Sequence, residues 1–134
     1  MIMQEMTAAL IIEDKKILLI HNIKHNQERI EPPGGKRKDK ESLIECVKRE
    51  SEEELGIIIE PQEPLLIYET VSPEGHFKVY MYFSRILSGT PEIQERKKHS
   101  ILGWYSFEDI LRFKEEEKLV PNLCSALDEL KKYL

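Results

Sequence analysis

Thiols are scarce in this chain. Cys46 and Cys124 are its two cysteines in 134 residues, and they stand far apart. That excludes a zinc site built on paired cysteines and a C-x-x-C redox motif. It fits free, reduced thiols in a cytoplasmic protein. Long apolar runs are missing too. No stretch approaches the ~18 residues a membrane-spanning helix needs, so no membrane partner is expected. The N-terminus lacks a basic region followed by an apolar one, so no signal peptide is expected. Excess positive charge is absent: the formal net charge is −5, which argues against general binding to a nucleic-acid backbone. Asn and Gln are few, and no repeat, low-complexity tract or linker interrupts the chain.

What remains is 40% hydrophobic and 34% charged, a balance that suits one soluble domain over residues 1–134. "MTAALIIED" and "KILLI" are two apolar runs joined by Asp14-Lys15, which reads as a buried hairpin. "HNIKHNQER" is polar and reads as a loop. Pro32-Pro33-Gly34-Gly35 breaks the chain. After a helix, "PLLIYETV" reads as a strand, and the Ser72-Pro73-Glu74-Gly75 turn leads into "HFKVYMYFSRIL". There Phe77, Val79, Met81 and Phe83 alternate with Lys78, Tyr80, Tyr82 and Ser84. A charged loop spans Gly89 to Ser100. "ILGWYSF" is a short strand leading to a helix capped by Ser106. A last helix begins near Pro121-Asn122, with Leu123, Leu127, Leu130 and Leu134 at helical spacing. Mixed strands and helices predict an α/β fold with a mixed β-sheet and helices on both faces.

The helix after the glycines is the centre of the chemistry. Ser42 can cap it, with Glu45 three residues on closing a capping box, and Gly56 supplies the stop. Leu43, Ile44, Val47 and Leu55 project as its apolar face. Glu50, Glu53 and Glu54 stand at i, i+3 and i+4, so their carboxylates share a neighbouring face. Such a cluster raises the pKa of at least one member unless a cation sits among them. A row of glutamates on a helix is commonly a solvated face.

The surrounding residues change that balance. Gly35, five residues, Glu41, seven residues, Arg49-Glu50, Glu53-Glu54 and Gly56-Ile57 form a pattern that resembles the Nudix box over its 23 residues. Ser51 departs from it, since the family usually has a larger apolar residue there. The resemblance implies an α/β/α sandwich and a hydrolase of nucleoside-diphosphate derivatives that depends on a divalent cation, usually Mg²⁺, with Mn²⁺ as a substitute. Hard ions of this kind prefer carboxylate and phosphate oxygens. The resemblance further implies Glu50, Glu53, Glu54 and the carbonyl of Gly35 as metal ligands. A box glutamate, Glu50 or Glu53, or a later-loop one, Glu92 or Glu95, would take the proton from water, and Arg49 would orient the glutamates. Glu41 would anchor the loop before the helix. A later loop supplies Glu92 or Glu95, with Glu95 favoured as a further ligand.

Within the family, the short chain favours a MutT-like (d)NTP or oxidised-nucleotide pyrophosphohydrolase in the cytoplasm. Asn122, after Pro121, resembles the base-contacting Asn of such enzymes, although the N-cap of the last helix is its simpler role. Arg37 in the Lys36–Lys40 loop is a substrate-phosphate candidate, against a plain solvated loop. Pro73, sixteen residues past Ile57, keeps an ADP-ribose pyrophosphatase open, with dinucleoside polyphosphates third. A nucleotide-binding Nudix module without catalysis is the alternative of another class. The expected partner is a small nucleotide, with a homodimer as one option for assembly. His21 and His25 lack the helix that a zinc pair at i, i+4 needs. Cys46 reads as a small apolar residue on the helix flank.

Overall fold

The computed structural model describes residues 3–24, 26–73, 75–94 and 100–134. Strand β1 (Met3–Glu13) turns through Asp14 and Lys15 into β2 (Lys16–Lys24). Both turn residues have positive φ (49° and 61°), as a tight hairpin with a right-handed twist requires. The two strands pair only beside the turn, at Ile12–Ile17 and Glu13–Lys16, and then diverge. β3 (Gln27–Glu31) pairs antiparallel with β2, so the segment expected as a loop is a hairpin arm. Its side chains are polar because β3 is an edge strand with little to bury. β4 (Gly34–Lys36) pairs antiparallel with β1 through Met6, Thr7 and Ala8.

Helix α1 (Leu43–Leu55) follows, and then β5 (Ile58–Ser72) and β6 (Gly75–Ser88). β6 runs parallel to β1, and β5 pairs antiparallel with β6. The sheet is therefore mixed, as expected. β5 begins well before the expected strand and crosses Pro61 with register shifts near Ile58 and between Gln62 and Leu66. Proline is tolerated there because β5 is the other edge. β7 (Ile101–Tyr105) pairs with β2 and leads into α2 (Phe107–Glu115), whose Ser106/Asp109 capping box is formed. The expected last helix is two short ones, α3 (Pro121–Ser125) and α4 (Leu127–Leu130), broken at Ala126.

The uninterrupted apolar runs of β1 and β2 have a physical cause, because both faces of these strands are covered. Ala9, Ile11, Leu18 and Ile20 pack with Val47 and Leu55 of α1. Ala8, Leu10, Ile17 and Leu19 pack with Ile110, Leu123 and Leu130 from α2, α3 and α4. The α/β/α sandwich is thus formed. Among the described residues no helix is long and apolar enough to cross a membrane.

Candidate active site

Helix α1 is fixed at both ends. Ser42 Oγ accepts from the Glu45 amide at 3.0 Å, and Glu45 accepts from the Ser42 amide at 3.1 Å. Gly56 ends the helix with φ 67°, a left-handed turn that disfavours a side chain. Between these ends, i+4 stripes divide the surface. Val47, Ser51 and Leu55 are buried in the core. Ile44, expected on that face, is exposed; it belongs to the outer stripe with Lys48 and Glu52. Cys46, fully buried, heads the stripe that continues to Glu50 and Glu54. That stripe faces β4.

The approach of β4 to this stripe is close. A Cβ on Gly35 would come within 2.6 Å of the Glu50 carboxyl, so a side chain there would have to displace that carboxylate. A Cβ on Gly34 would meet the Thr7 carbonyl oxygen at 2.0 Å. The Gly34 amide donates to Glu54 Oε1 at 3.3 Å. Burial, and then the neighbouring Glu50 carboxylate, push the Glu54 carboxyl up to about 9 against the Gly34 bond that opposes it. Glu54 therefore keeps its proton at neutral pH.

Arg49 occupies the other side of the cluster. Its Nε and Nη2 donate to the two oxygens of Glu41 at 2.6 and 3.0 Å, a bidentate pair. Nη1 donates to Glu50 Oε1 at 2.9 Å and to Glu53 Oε2 at 3.2 Å, and Nη2 to the Lys36 carbonyl at 3.3 Å. The Arg49 hydrogen bonds, outweighing desolvation, hold the Glu41 carboxyl down at about 2, and the Lys38 amide adds to the effect. Glu41 thus ties the loop before α1 to Arg49.

Other expected residues divide. Arg37 donates to Glu5 Oε1 from Nε and to the Glu41 carbonyl from Nη1, at 2.9 and 2.8 Å. Its guanidinium is committed to the protein. The later loop is clamped to the end of α1, with the Glu92 amide donating to the Leu55 carbonyl at 3.0 Å and the Gln94 amide to the Glu54 carbonyl at 2.9 Å. Glu95 lies outside the described residues, as do His25 and His99. Asn122 is not an N-cap: Val120 holds that position, and Asn122 sits inside α3, 9% exposed. Its Oδ1 accepts from the Leu123 amide at 3.1 Å.

Asn122 lines a cavity of about 320 Å³ together with Met6, Phe77, Val79 and Pro121, and Gly34 and Gly35 form part of the same wall. Ligand sites are commonly of this size, mostly apolar with a few placed polar groups. Sequence reasoning missed three participants. Glu31 lines the cavity and its charge helps raise Glu54. Thr7 and Cys46 form a buried pair beneath Gly35, 3.2 Å apart. Only the position of Glu31 just before the Pro-Pro-Gly-Gly break offered a signal for the first, and the strand pairing of Thr7 with Gly35 was not visible without the fold.

Glu50, Glu54 and the Gly35 carbonyl make an all-oxygen donor set suited to Mg²⁺ or a similar hard cation. The fit has a physical basis, since the buried Glu54 carboxyl holds a proton whose place a cation can take. Among the described residues, no three acidic, histidine or cysteine side chains are gathered as a finished cage. Glu53 is turned to Arg49, and Glu41 is saturated by it.

Comparison with known proteins places the sequence and the fold in one family. The family model described as NUDIX domain matches residues 3–123. Over 77 residues the chain is 34% identical to 8-oxo-dGTP diphosphatase of Buchnera aphidicola subsp. Acyrthosiphon pisum, covering 58% of this chain and 62% of that protein. The match thus spans less than two thirds of that relative's length. A MutT NUDIX hydrolase from Burkholderia pseudomallei superposes with TM-score 0.71 at 29% identity, over 81% of this chain and 86% of that one. A NUDIX hydrolase from Nitrosomonas europaea shares the fold with TM-score 0.81 at 22% identity, over 98% and 89%.

Proposed function

The chain belongs to the Nudix family, and from that premise we propose that it is a cytoplasmic, Mg²⁺-dependent hydrolase of the pyrophosphate bond in nucleoside triphosphates. The favoured substrates are (d)NTPs, oxidised ones included, as for MutT-like enzymes. The supporting observation is a juxtaposition: a cavity carrying the buried Asn122 carboxamide shares the Gly34–Gly35 wall with the Glu50/Glu54 pair. A base would lie against Phe77, Val79 and Pro121, with the Asn122 amide reading its polar edge. The phosphates would then run past Gly34 and Gly35 toward α1.

A divalent ion at Glu50, Glu54 and the Gly35 carbonyl, with Glu53 completing the set, would neutralise the diphosphate and acidify the attacking water. Arg49 holds Glu50 and Glu53 in orientation, and Glu41 holds Arg49. An ionised glutamate accepts the proton of water, and Glu53, the most exposed of the cluster at 48%, is the assigned base.

Incubation with dGTP, 8-oxo-dGTP, ADP-ribose and a dinucleoside polyphosphate, with products identified, tests the substrate class. Nucleoside monophosphate and inorganic pyrophosphate are expected from the triphosphates. Release of pyrophosphate from none of them would defeat the assignment. Glu53→Gln should lower turnover by about 10²- to 10⁴-fold; unchanged turnover would remove Glu53 from the mechanism.

A further inference from the structure

Helix α1 grips β4 at two successive carbonyls. Arg49 Nη2 donates to the Lys36 carbonyl, and the Cys46 thiol donates to the Gly35 carbonyl, with Sγ 3.6 Å from the oxygen. Cys46 is fully buried and has two further polar neighbours, Thr7 Oγ1 at 3.2 Å and Arg49 Nη2, which donates to the sulfur at 4.0 Å. Thr7 is 2% exposed and is the β1 residue that pairs with Gly35 across the sheet. A thiol has one proton. If the S–H points at the Gly35 oxygen, the Thr7 hydroxyl must donate to sulfur, and the polarity of the chain is set: Thr7 O–H to Cys46 S–H to Gly35 C=O.

A structural role alone does not account for this arrangement. Alanine would suit the buried flank of α1 as well as cysteine, and valine would suit β1 as well as threonine. The thiol instead reaches the backbone oxygen of Gly35, the residue that packs against the Glu50 carboxyl, and the Thr7 hydroxyl reaches the thiol. We propose that Thr7 and Cys46 are positioning residues that fix the direction of the Gly35 carbonyl, and so tune how well the site binds a divalent cation. This rests on the reading above that the Gly35 carbonyl is one of the ion's donors. Cys46 lies outside the nucleotide cavity, and Thr7, at its wall, is 2% exposed. They act through the donor, as hydrogen-bonded partners of metal ligands commonly do.

The test uses chelator-stripped protein, with free Mn²⁺ counted by electron paramagnetic resonance. Cys46→Ala should weaken Mn²⁺ binding about 10-fold, the lower end of such effects because a thiol is a weak donor. Cys46→Ser restores a donor and should return affinity toward wild type. Thr7→Val, close in shape, should weaken it less than Cys46→Ala. In the Cys46 variants the nucleotide KM at saturating Mn²⁺ should not change. A second reading needs no variant. The infrared S–H stretch of Cys46 should rise toward the free-thiol value on adding Mn²⁺, because a carbonyl engaged by a cation is a poorer acceptor. Cys124, bonded to the Leu119 carbonyl, is the internal reference and should not move. Wild-type affinity in Cys46→Ala, equal losses in the Ala and Ser variants, or an unmoved Cys46 band would each overturn the proposal. If wild type binds Mn²⁺ and only these results fail, the ion site stands without the relay. If wild type binds no Mn²⁺, both readings fall.

Discussion

Glu54→Gln should make the metal-free protein more stable, although it removes an acid assigned to the site. Glu54 is pushed up to about 9 from an ordinary 4.5, so at neutral pH the folded protein holds a proton that the unfolded chain releases. A group raised in this way costs nothing below pH 4.5, where both states are protonated. Its cost then grows as pH climbs toward 9. At about 1.4 kcal/mol per pH unit, the penalty at pH 7 is ~3 kcal/mol and at pH 5 below ~1 kcal/mol. Glutamine imitates the protonated acid. Its carbonyl can still accept from the Gly34 amide and its NH₂ can donate to Glu50. Urea unfolding in chelator at pH 5, 7 and 8.5 should therefore show a gain that widens with pH. Saturating Mg²⁺ should close most of the gap at pH 7, since an ion at 100 times its dissociation constant adds ~2.7 kcal/mol to a protein that binds it. A variant less stable than wild type at pH 7 in chelator, or a difference that ignores pH, would show that the proton on Glu54 is wrongly placed.

Arg49→Ala strands the nearly buried Glu41 carboxylate and should cost about 2–3 kcal/mol in urea unfolding. Because Glu41 is held down at about 2, wild type enjoys this stabilisation above pH 4.5 and loses it as pH falls toward 2; the acid-sensitive component should vanish in the variant. Ser51 is fully buried, and among the described residues its hydroxyl has no partner, so Ser51→Ala should be neutral or stabilise by ~1 kcal/mol; a loss above that in the same assay would reveal a hidden hydrogen bond. Asn122→Ala should lower kcat/KM about 10- to 100-fold for the preferred base while leaving the rate on a poor base nearly unchanged; equal losses on all bases would argue against base reading.

Helix α1 was legible because its information is local. A capping box, a glycine stop and a fixed spacing of acids all lie within 23 residues. The buried strands β1 and β2 were legible as apolar runs. β3 was not, because an edge strand with exposed side chains has the same polarity as a loop. Ile44 misled the helical wheel: the helix is rotated so that Cys46 and the glutamates turn toward β4, a choice made by packing against Gly35. The break at Ala126 is likewise invisible in the leucine spacing, which continues through it. The cavity draws on β1, β3, β4, β5, β6 and α3, so no stretch of sequence announces it. Asn122 was found by its neighbour Pro121, but only the fold shows that its side chain is buried at that cavity instead of capping a helix.

A crystal soaked in Mn²⁺ and measured for anomalous scattering addresses the clustered acids on α1 most directly. A peak within ligand distance of Glu50, Glu54 and the Gly35 carbonyl is the predicted result, with turnover lost on chelation. An empty map at that edge of the helix, with turnover indifferent to chelator, would contradict it.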